Sequence, residues 1–441
     1  MSYLVSRLVP DPNAREPATP LALVPVFVCY YLHAVLVLLP GTFVLRFALL
    51  PITIWQAWRA AVYFDLAKGV AGLIGTSSHE RIVCWNFAYV IAMGVIALRA
   101  IDWTFAKEPF KRFRLSEKGE VVPEALGPRN MGEVLIDAVE LLFNQRGSSW
   151  SWFRNSSLRN RRTPQSISYL ISSLVFKFAV FDATHYAIQH FFPSLNEPAG
   201  DTIFDDSIPP LSRYIQAICI TISAGIIVYT AIDLLYLAVA IPARLLLNHD
   251  ASRWPPLSNR PWLSTSLVDF WGRRWHQPGA VLGAFFISAV LHDWGMWGLG
   301  RGTEFSTVGG FFILMGVGVV LEEACERITG KKVGGIWGWL WTMLWTIGWG
   351  TRMVDAWARR GLVVLSVDPL YSTAIVRQTE RIIRKLRSAI GASPLHITVS
   401  HSSVSFTLDV DFAISVHVRI DARPLVTASI CPTHRVTDDL L

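Results

Sequence analysis

Two short stretches hold residues whose types could do chemistry. "SAVLHDWGMW", residues 288–297, sets His292 and Asp293 inside an apolar run. "FWGRRWHQ", residues 270–277, gathers Arg273, Arg274, Trp275 and His276. Titratable groups are costly inside a bilayer, so each one there is a functional candidate by default. Imidazole suits group transfer onto a hydroxyl. The hydroxyl is a poor nucleophile until a positioned base takes its proton during attack. A ring with a pKa of about 6.5 can accept that proton and return it to the leaving group. Asp293 is offset from His292 by about 100° around a helix, away from the ring and toward an arginine or a water-filled mouth.

The cationic stretch admits two readings. One is a juxtamembrane anchor, with Trp271 and Trp275 at the interface and Arg273 and Arg274 reaching to headgroups. The other is a cationic mouth for a phosphorylated carrier, with His276 facing a cavity. Upstream of His292, Ala284 and Ser288 share its face at four-residue spacing, with Ala289 and Gly295 adjoining. Small residues there serve either close helix packing or a substrate path to the ring. Asp182 and His185 share a face at i, i+3, which suits either orientation of a substrate or a helix–helix contact. His185 and His190 are five apart, a poor helical pair for a metal, and HExxH, GxSxG and P-loop patterns are absent. Glu322 and Glu323, late in an apolar run, are expected at a water interface.

These residues sit in a chain built for lipid. Of 441 residues, 52% are hydrophobic and 17% charged, against roughly 25% charged in soluble domains. The net charge of +7 is spread as punctuation between apolar runs, which argues for membrane loops and against nucleic acid. Runs near the roughly 20 residues that a bilayer core takes occur at 21–39, 41–60, 83–100, 167–192, 213–246, 279–299, 305–325 and 334–358. The expectation is an all-α, polytopic helical bundle with about eight transmembrane helices (seven to nine), because spans this apolar must satisfy their backbones internally. No cleavable signal peptide is evident, so the first run is expected to act as an anchor. The basic stretch 101–166 predicts a cytosolic face, its "RGSSWSWFRN" an interfacial loop, and the acidic 193–210 a loop on the other side. Residues 1–20 form a polar N-terminal segment, 21–362 the membrane domain, and 363–441 an atypical tail. In that tail "RQTERIIRKLRSAI" suits a short amphipathic helix, and "HITVSHSSVSFTLDVDFAISVHVRI" alternates like a strand or hairpin. The five scattered cysteines read as small buried hydrophobes, with no disulfide or metal framework.

"SLVDFWGRRWHQ" (266–277), followed by "SAVLHDWG" (288–295), resembles the wax synthase-like branch of the membrane-bound O-acyltransferases. The likeness is greatest to fungal members that acetylate terpenoid and meroterpenoid hydroxyls. "RGSSWSW" (146–152) and "FKFAVFDATHY" (176–186) are similar to a Gly/Trp loop and an Asp-bearing helix of that branch. The likeness covers roughly residues 20–362. It implies a bundle enclosing a reactant tunnel, with His292 as the catalytic histidine and His276 as the second catalytic position. Arg273, Arg274, Trp275, Asp293 and Asp182 are implied as substrate- or CoA-binding residues. The implied partners are acetyl-CoA or another acyl-CoA as co-substrate, a lipophilic alcohol such as a terpenoid, and membrane lipids, with no bound cofactor or metal. The membrane expected is the endoplasmic reticulum. Acetylation of a terpenoid hydroxyl is the leading expectation. A long-chain wax or sterol ester synthase is the alternative, and a transporter or scaffold is the alternative of another class. Fifteen residues separate His276 from His292. A straight helix would hold them about 24 Å apart, so a shared site requires a break, for which Gly279 and Gly283 are candidates.

Overall fold

The structure is a computed structural model that describes residues 9–74, 79–115, 121–123, 130–144, 150, 165–197, 199–247, 249, 251–254, 256–275 and 281–362. In the tail it describes the strand residues 395–400, 403–410, 414–421 and 427–431. The chain divides into two units, Met1–Pro369 and Leu370–Leu441.

The first unit is a polytopic bundle of helices: α1 Pro20–Leu38, α2 Phe43–Tyr63, α3 Leu66–Ile74, α4 Cys84–Thr104, α5 Met131–Phe143, α6 Ile167–Phe191, α7 Pro210–Leu246, α8 Val281–Gly298, α9 Val308–Thr329 and α10 Gly335–Ala358. The eight with eighteen residues or more follow the eight apolar runs. Side-chain caps set some of the starts: Thr19 accepts from Ala22 N at 3.2 Å, and Ser166 from Tyr169 N at 3.2 Å. Gly330, left-handed at φ 70°, ends α9.

Among the described residues, five helices, α1, α4, α6, α7 and α9, are both long and apolar enough to cross a membrane. The other three long helices are more polar in makeup. α2 carries Arg46 and Arg59, α8 carries His292 and Asp293, and α10 is rich in Trp and Gly. α7 has 37 residues, about 56 Å, so part of it lies outside a hydrocarbon layer about 30 Å thick.

The bundle carries its apolar side chains outward as well as inward. Leu21, Val44, Phe176, Leu235 and Leu344 are exposed, as suits an acyl-chain solvent. Two apolar clusters lie within. One takes Val26, Tyr30, Ala57, Met93 and Trp103 from α1, α2 and α4. The other takes Ile220, Phe285, Phe311, Met315 and Met353 from α7 to α10. α4 and α8 form the seam between them. A Cβ on Gly295 would stand 2.9 Å from the Phe87 ring, and one on Gly298 2.7 Å from Val90, so only glycine permits this approach. Polar groups inside the first cluster's helices bond across them. The His33 ring meets Thr53 Oγ1 at 3.0 Å and Thr104 Oγ1 at 3.2 Å, while Arg46 donates to the carbonyls of Trp103 and Ala106.

Two expectations are corrected. Cys219 and Cys325 are exposed on their helices, and Cys29 and Cys84 are only partly buried, because these positions fall on or near outward faces. Trp150, expected in an interfacial loop, is 1% exposed, with the Arg112 guanidinium 4.6 Å over its ring. The rest of "RGSSWSWFRN" lies outside the described residues. The acidic 193–210 stretch does connect α6 to α7 and bonds to α10: Thr202 Oγ1 donates to Asp355 Oδ1 at 2.7 Å, and Ile203 N donates to the same oxygen at 3.1 Å.

In the second unit, Leu395–Ser400, Ser403–Val410, Ile414–Asp421 and Thr427–Cys431 form a four-stranded antiparallel meander in chain order. This is the alternation read from the sequence. "RQTERIIRKLRSAI" lies outside the described residues.

Candidate functional site

His292 sits in the last half of α8, one turn after Ser288. Its Nδ1–H donates to the Ser288 carbonyl at 2.8 Å. Phe312 of α9 lies 4.2 Å from the ring, centroid to centroid, and Phe87 of α4 lies 6.0 Å away, edge on. The backbone bond commits the proton of the neutral ring to Nδ1. Nε2 then carries the lone pair, held in an aromatic wall with its orientation fixed. That arrangement can take a proton from a hydroxyl and give it back.

Asp293 belongs to a different set of contacts. Its Oδ1 accepts Glu304 N at 3.0 Å, closing the turn after α8. Glu304 in turn holds Arg359 at 3.0 Å and Arg360 at 2.8 Å. The Arg359 hydrogen bond, with help from Thr307 and Arg360, pulls the Glu304 carboxyl down to about 2. Asp293 therefore lies beside an arginine-rich cluster at the end of the helix, and its bond goes to that turn.

The cationic stretch is a π-helix, Phe270–Trp275, entered through one turn, Leu267–Asp269. Wide π turns recur at functional sites because they displace the side chains that follow. Glu322 of α9 anchors this entry. Its Oε1 accepts Leu267 N at 2.6 Å, its Oε2 accepts Val268 N at 3.0 Å, and Trp341 Nε1 donates to Oε1 at 2.9 Å. A carboxylate at a helix start satisfies otherwise orphaned N–H groups and meets the positive end of the dipole. The expected water exposure of Glu322 is thereby corrected: it is 5% exposed. Glu323, one residue on, does reach the surface and pairs with Arg327 at 3.1 Å.

Arg274 braces the same segment. It bonds Asp269 Oδ2 at 2.5 Å and the Asn259 carbonyl at 3.3 Å. Trp271, expected at an interface, instead packs against the inner cluster, 5.5 Å from Phe285 and 6.3 Å from Phe311. Phe311 touches Phe312 at 5.1 Å, and Phe312 touches His292, so an aromatic chain links the π-helix to the imidazole. A continuous helix would hold Trp271 and Phe285 about 21 Å apart along its axis. The two segments are therefore folded against each other, which is the break that a common site requires. His276 lies outside the described residues, as do the side chains of Arg273 and Trp275.

Asp182 and His185 are both buried, at 4% and 3% exposed, on the inner face of α6. Phe181 stacks 6.1 Å from His185. Sequence reasoning missed a neighbour on the same helix, Lys177, which pairs with buried Asp233 of α7. Lys177 stood in a quoted stretch, and its isolation among Phe and Val was the available signal. Gly295, counted among the small residues near His292, serves helix packing against Phe87 and Ile91. A cavity of about 260 Å³ opens elsewhere, between α5 and the end of α7, with Glu140, His249 and Trp254 in its wall. Its lining includes neither His292 nor the rings around it, so this space is not the expected tunnel.

Residues 254–279, which include the π-helix, match the Membrane bound O-acyl transferase family. Among curated proteins, the chain is 32% identical over 133 residues to "Long-chain-alcohol O-fatty-acyltransferase" of Simmondsia chinensis, covering 24% of this chain and 37% of that one. It is 29% identical over 154 residues to "Probable long-chain-alcohol O-fatty-acyltransferase 8" of Arabidopsis thaliana, covering 29% and 43%. It is 26% identical over 132 residues to "Acyl-CoA--sterol O-acyltransferase 1" of the same plant, covering 24% and 37%. The chain thus spans less than half the length of the curated relatives it matches. No solved structure matches it.

Proposed function

We propose that this membrane protein is an acyl-CoA:alcohol O-acyltransferase of the wax synthase-like branch, with His292 as its general base. The observation that carries the reading is the Nδ1–H bond of His292 to Ser288, which leaves Nε2 as an acceptor, joined through Phe312, Phe311 and Trp271 to the segment that matches the family. In the reaction, Nε2 takes the alcohol proton as the oxygen attacks the thioester carbonyl. The tetrahedral intermediate then collapses, the C–S bond breaks, and the proton returns to the CoA sulfur. Both reactants bind together and no acyl-enzyme forms. Arg273 is a CoA-binding residue, its guanidinium suited to CoA phosphates, and His276 is the second catalytic residue. Arg274, already bonded to Asp269, shapes the segment that carries them. Asp182 orients the alcohol. The host membrane is the endoplasmic reticulum.

The relatives act, by their printed names, on long-chain alcohols and a sterol. That favours a long-chain wax or sterol ester synthase over the acetylation of a terpenoid hydroxyl. Microsomes holding this chain, given labelled palmitoyl-CoA and labelled acetyl-CoA together with a long-chain alcohol, a sterol and a terpenoid alcohol, separate the two. Palmitoyl esters are the expected product. Acetyl esters of the terpenoid alone would restore the acetyltransferase reading. Proteoliposome uptake of the alcohol without any acyl-CoA turnover would replace both with a transporter.

A further inference from the structure

The residues ahead of α1 are folded onto the helix that carries His292. Pro12–Ala14 forms a single 3-10 turn, and Glu16–Pro17 pairs in parallel with Phe64–Asp65, the link between α2 and α3. Ala18 N donates to the Asp65 carbonyl at 2.9 Å. Lys68 of α3 donates through Nζ to the carbonyls of Asn13 at 2.8 Å and Arg15 at 3.0 Å. A Cβ on Gly69 would stand 2.1 Å from the Ala18 carbonyl oxygen, so the segment lies where a side chain would otherwise be.

The seated segment aims one long cation at the end of α8. Arg15 is 3% exposed, and its guanidinium donates through Nη2 to the Gly298 carbonyl. Its Nε donates to the Pro12 carbonyl at 2.8 Å, and Asp65 Oδ2 lies 3.6 Å from Nη2 and balances the charge. The Trp297 ring lies 5.4 Å from the guanidinium carbon. Asn13 Nδ2 adds a bond to the Gly300 carbonyl at 3.1 Å. The last carbonyls of a helix have no partner within it and form the negative end of its dipole, so a guanidinium is favoured there on both counts. Its planar fork fixes direction as well as distance.

The end of α8 matters because the imidazole moves with it. His292 Nδ1 is bonded to the Ser288 carbonyl on the same helix, so the ring is tied to α8 and not to α9. Gly298 is six residues further on, about 9 Å along the axis. The other flank of this end is held by Asp293, whose Oδ1 accepts Glu304 N at 3.0 Å. A shift of the helix end carries Nε2 with it past Phe312 of α9, and a displacement of about 1 Å can cost about 10²-fold in rate. We propose that Arg15 is a positioning residue for His292: residues 12–18 form a clasp that fixes the last two turns of α8, and with them Nε2. The role in turnover rests on His292 being the base, whereas the clasp does not.

Arg46 supplies the comparison that separates positioning from stability. It too donates to backbone carbonyls at the end of a helix, those of Trp103 and Ala106, but at the end of α4 opposite to Phe87. The test uses the full chain in phosphatidylcholine nanodiscs, followed by hydrogen–deuterium exchange and by ester synthesis from palmitoyl-CoA and hexadecanol. Arg15→Ala should speed exchange over residues 295–300 about tenfold and lower kcat per folded molecule about tenfold, with KM for palmitoyl-CoA within about twofold. Arg15→Lys, which reaches a carbonyl without the fork, should recover part of kcat. Arg46→Ala should lower the melting point yet keep both kcat and the exchange of α8. Asn13→Ala removes one exposed bond, so it folds even where Arg15→Ala does not, and should show the same two changes in smaller measure. Unchanged exchange in Asn13→Ala and in folded Arg15→Ala would overturn the clasp. Faster exchange with full kcat, or an equal loss of kcat in Arg46→Ala, would overturn the positioning role. Failure of the base itself looks different: His292→Ala would keep its turnover with α8 exchanging as in the parent, which removes the role in turnover and leaves the clasp.

Discussion

Glu322 and Leu267, fifty-five residues apart, meet at 2.6 Å, the carboxylate of one accepting the backbone N–H of the other. With Val268 and Trp341 on the same group, Glu322 sets where the π-helix begins. Glu322→Ala should leave two backbone donors and an indole N–H unbonded, lowering stability by about 3 kcal/mol, a melting shift of several degrees. Glu322→Gln, which keeps an acceptor, should recover part of both stability and ester synthesis. Unfolding in detergent alongside an acyl-transfer assay checks this, and an unchanged melting point in Glu322→Ala would remove the anchoring role.

The imidazole makes a sharper demand. His292→Ala should retain the fold and lose ester synthesis by about 10²–10⁴-fold, the usual contribution of a positioned base. His292→Gln should not restore it, since an amide cannot cycle a proton. A folded alanine variant with near wild-type turnover would exclude His292 as the base.

Acid should expose the cluster beyond α8. Glu304 is held at about 2 in the folded chain, below its ordinary value of 4.5, by Arg359 first of all. A depressed carboxyl stabilises the fold fully above the unfolded value, and that contribution is lost as pH falls from about 4.5 toward about 2. Glu304→Gln should therefore flatten the stability profile over that interval. Parallel profiles for variant and parent would show that the cluster carries no such linkage.

Lys177 and Asp233 make a related test within the bundle. Removing one partner strands the other, so Lys177→Ala should cost about 2 kcal/mol, less than a fully enclosed pair because Lys177 remains 22% exposed. Lys177→Met combined with Asp233→Leu should regain most of the loss. Melting points of the single and double variants decide it, and an additive double variant would mean that the pair is not coupled.

The helices were legible in the sequence because lipid leaves an apolar run little choice. α6, α7, α8, α9 and α10 all begin and end within a few residues of the runs read. His292 stands out in the sequence for the complementary reason, as a titratable side chain where such groups are scarce, and its role is the proposal made above. Glu322 was misjudged because its place late in a run suggests an exit, while its partners at 267, 268 and 341 belong to other segments. Arg274 reads by type as a headgroup or CoA-phosphate contact, and Trp271 as an interface residue. A π turn that no local pattern announces aims one at Asp269 and the other at Phe285. Periodicity also could not show which small residues face a neighbour, and the placement of Gly295 against Phe87 settles that.

That glycine seam has a mechanical consequence. Proteins that rock between two openings keep a loose joint between their halves, whereas here the joint beside the imidazole is closely packed. Sliding α8 along α4 would drive Phe87 and Val90 into the backbone at Gly295 and Gly298. The imidazole proposed as the base is thus riveted to its frame, which leaves travel to its reactants.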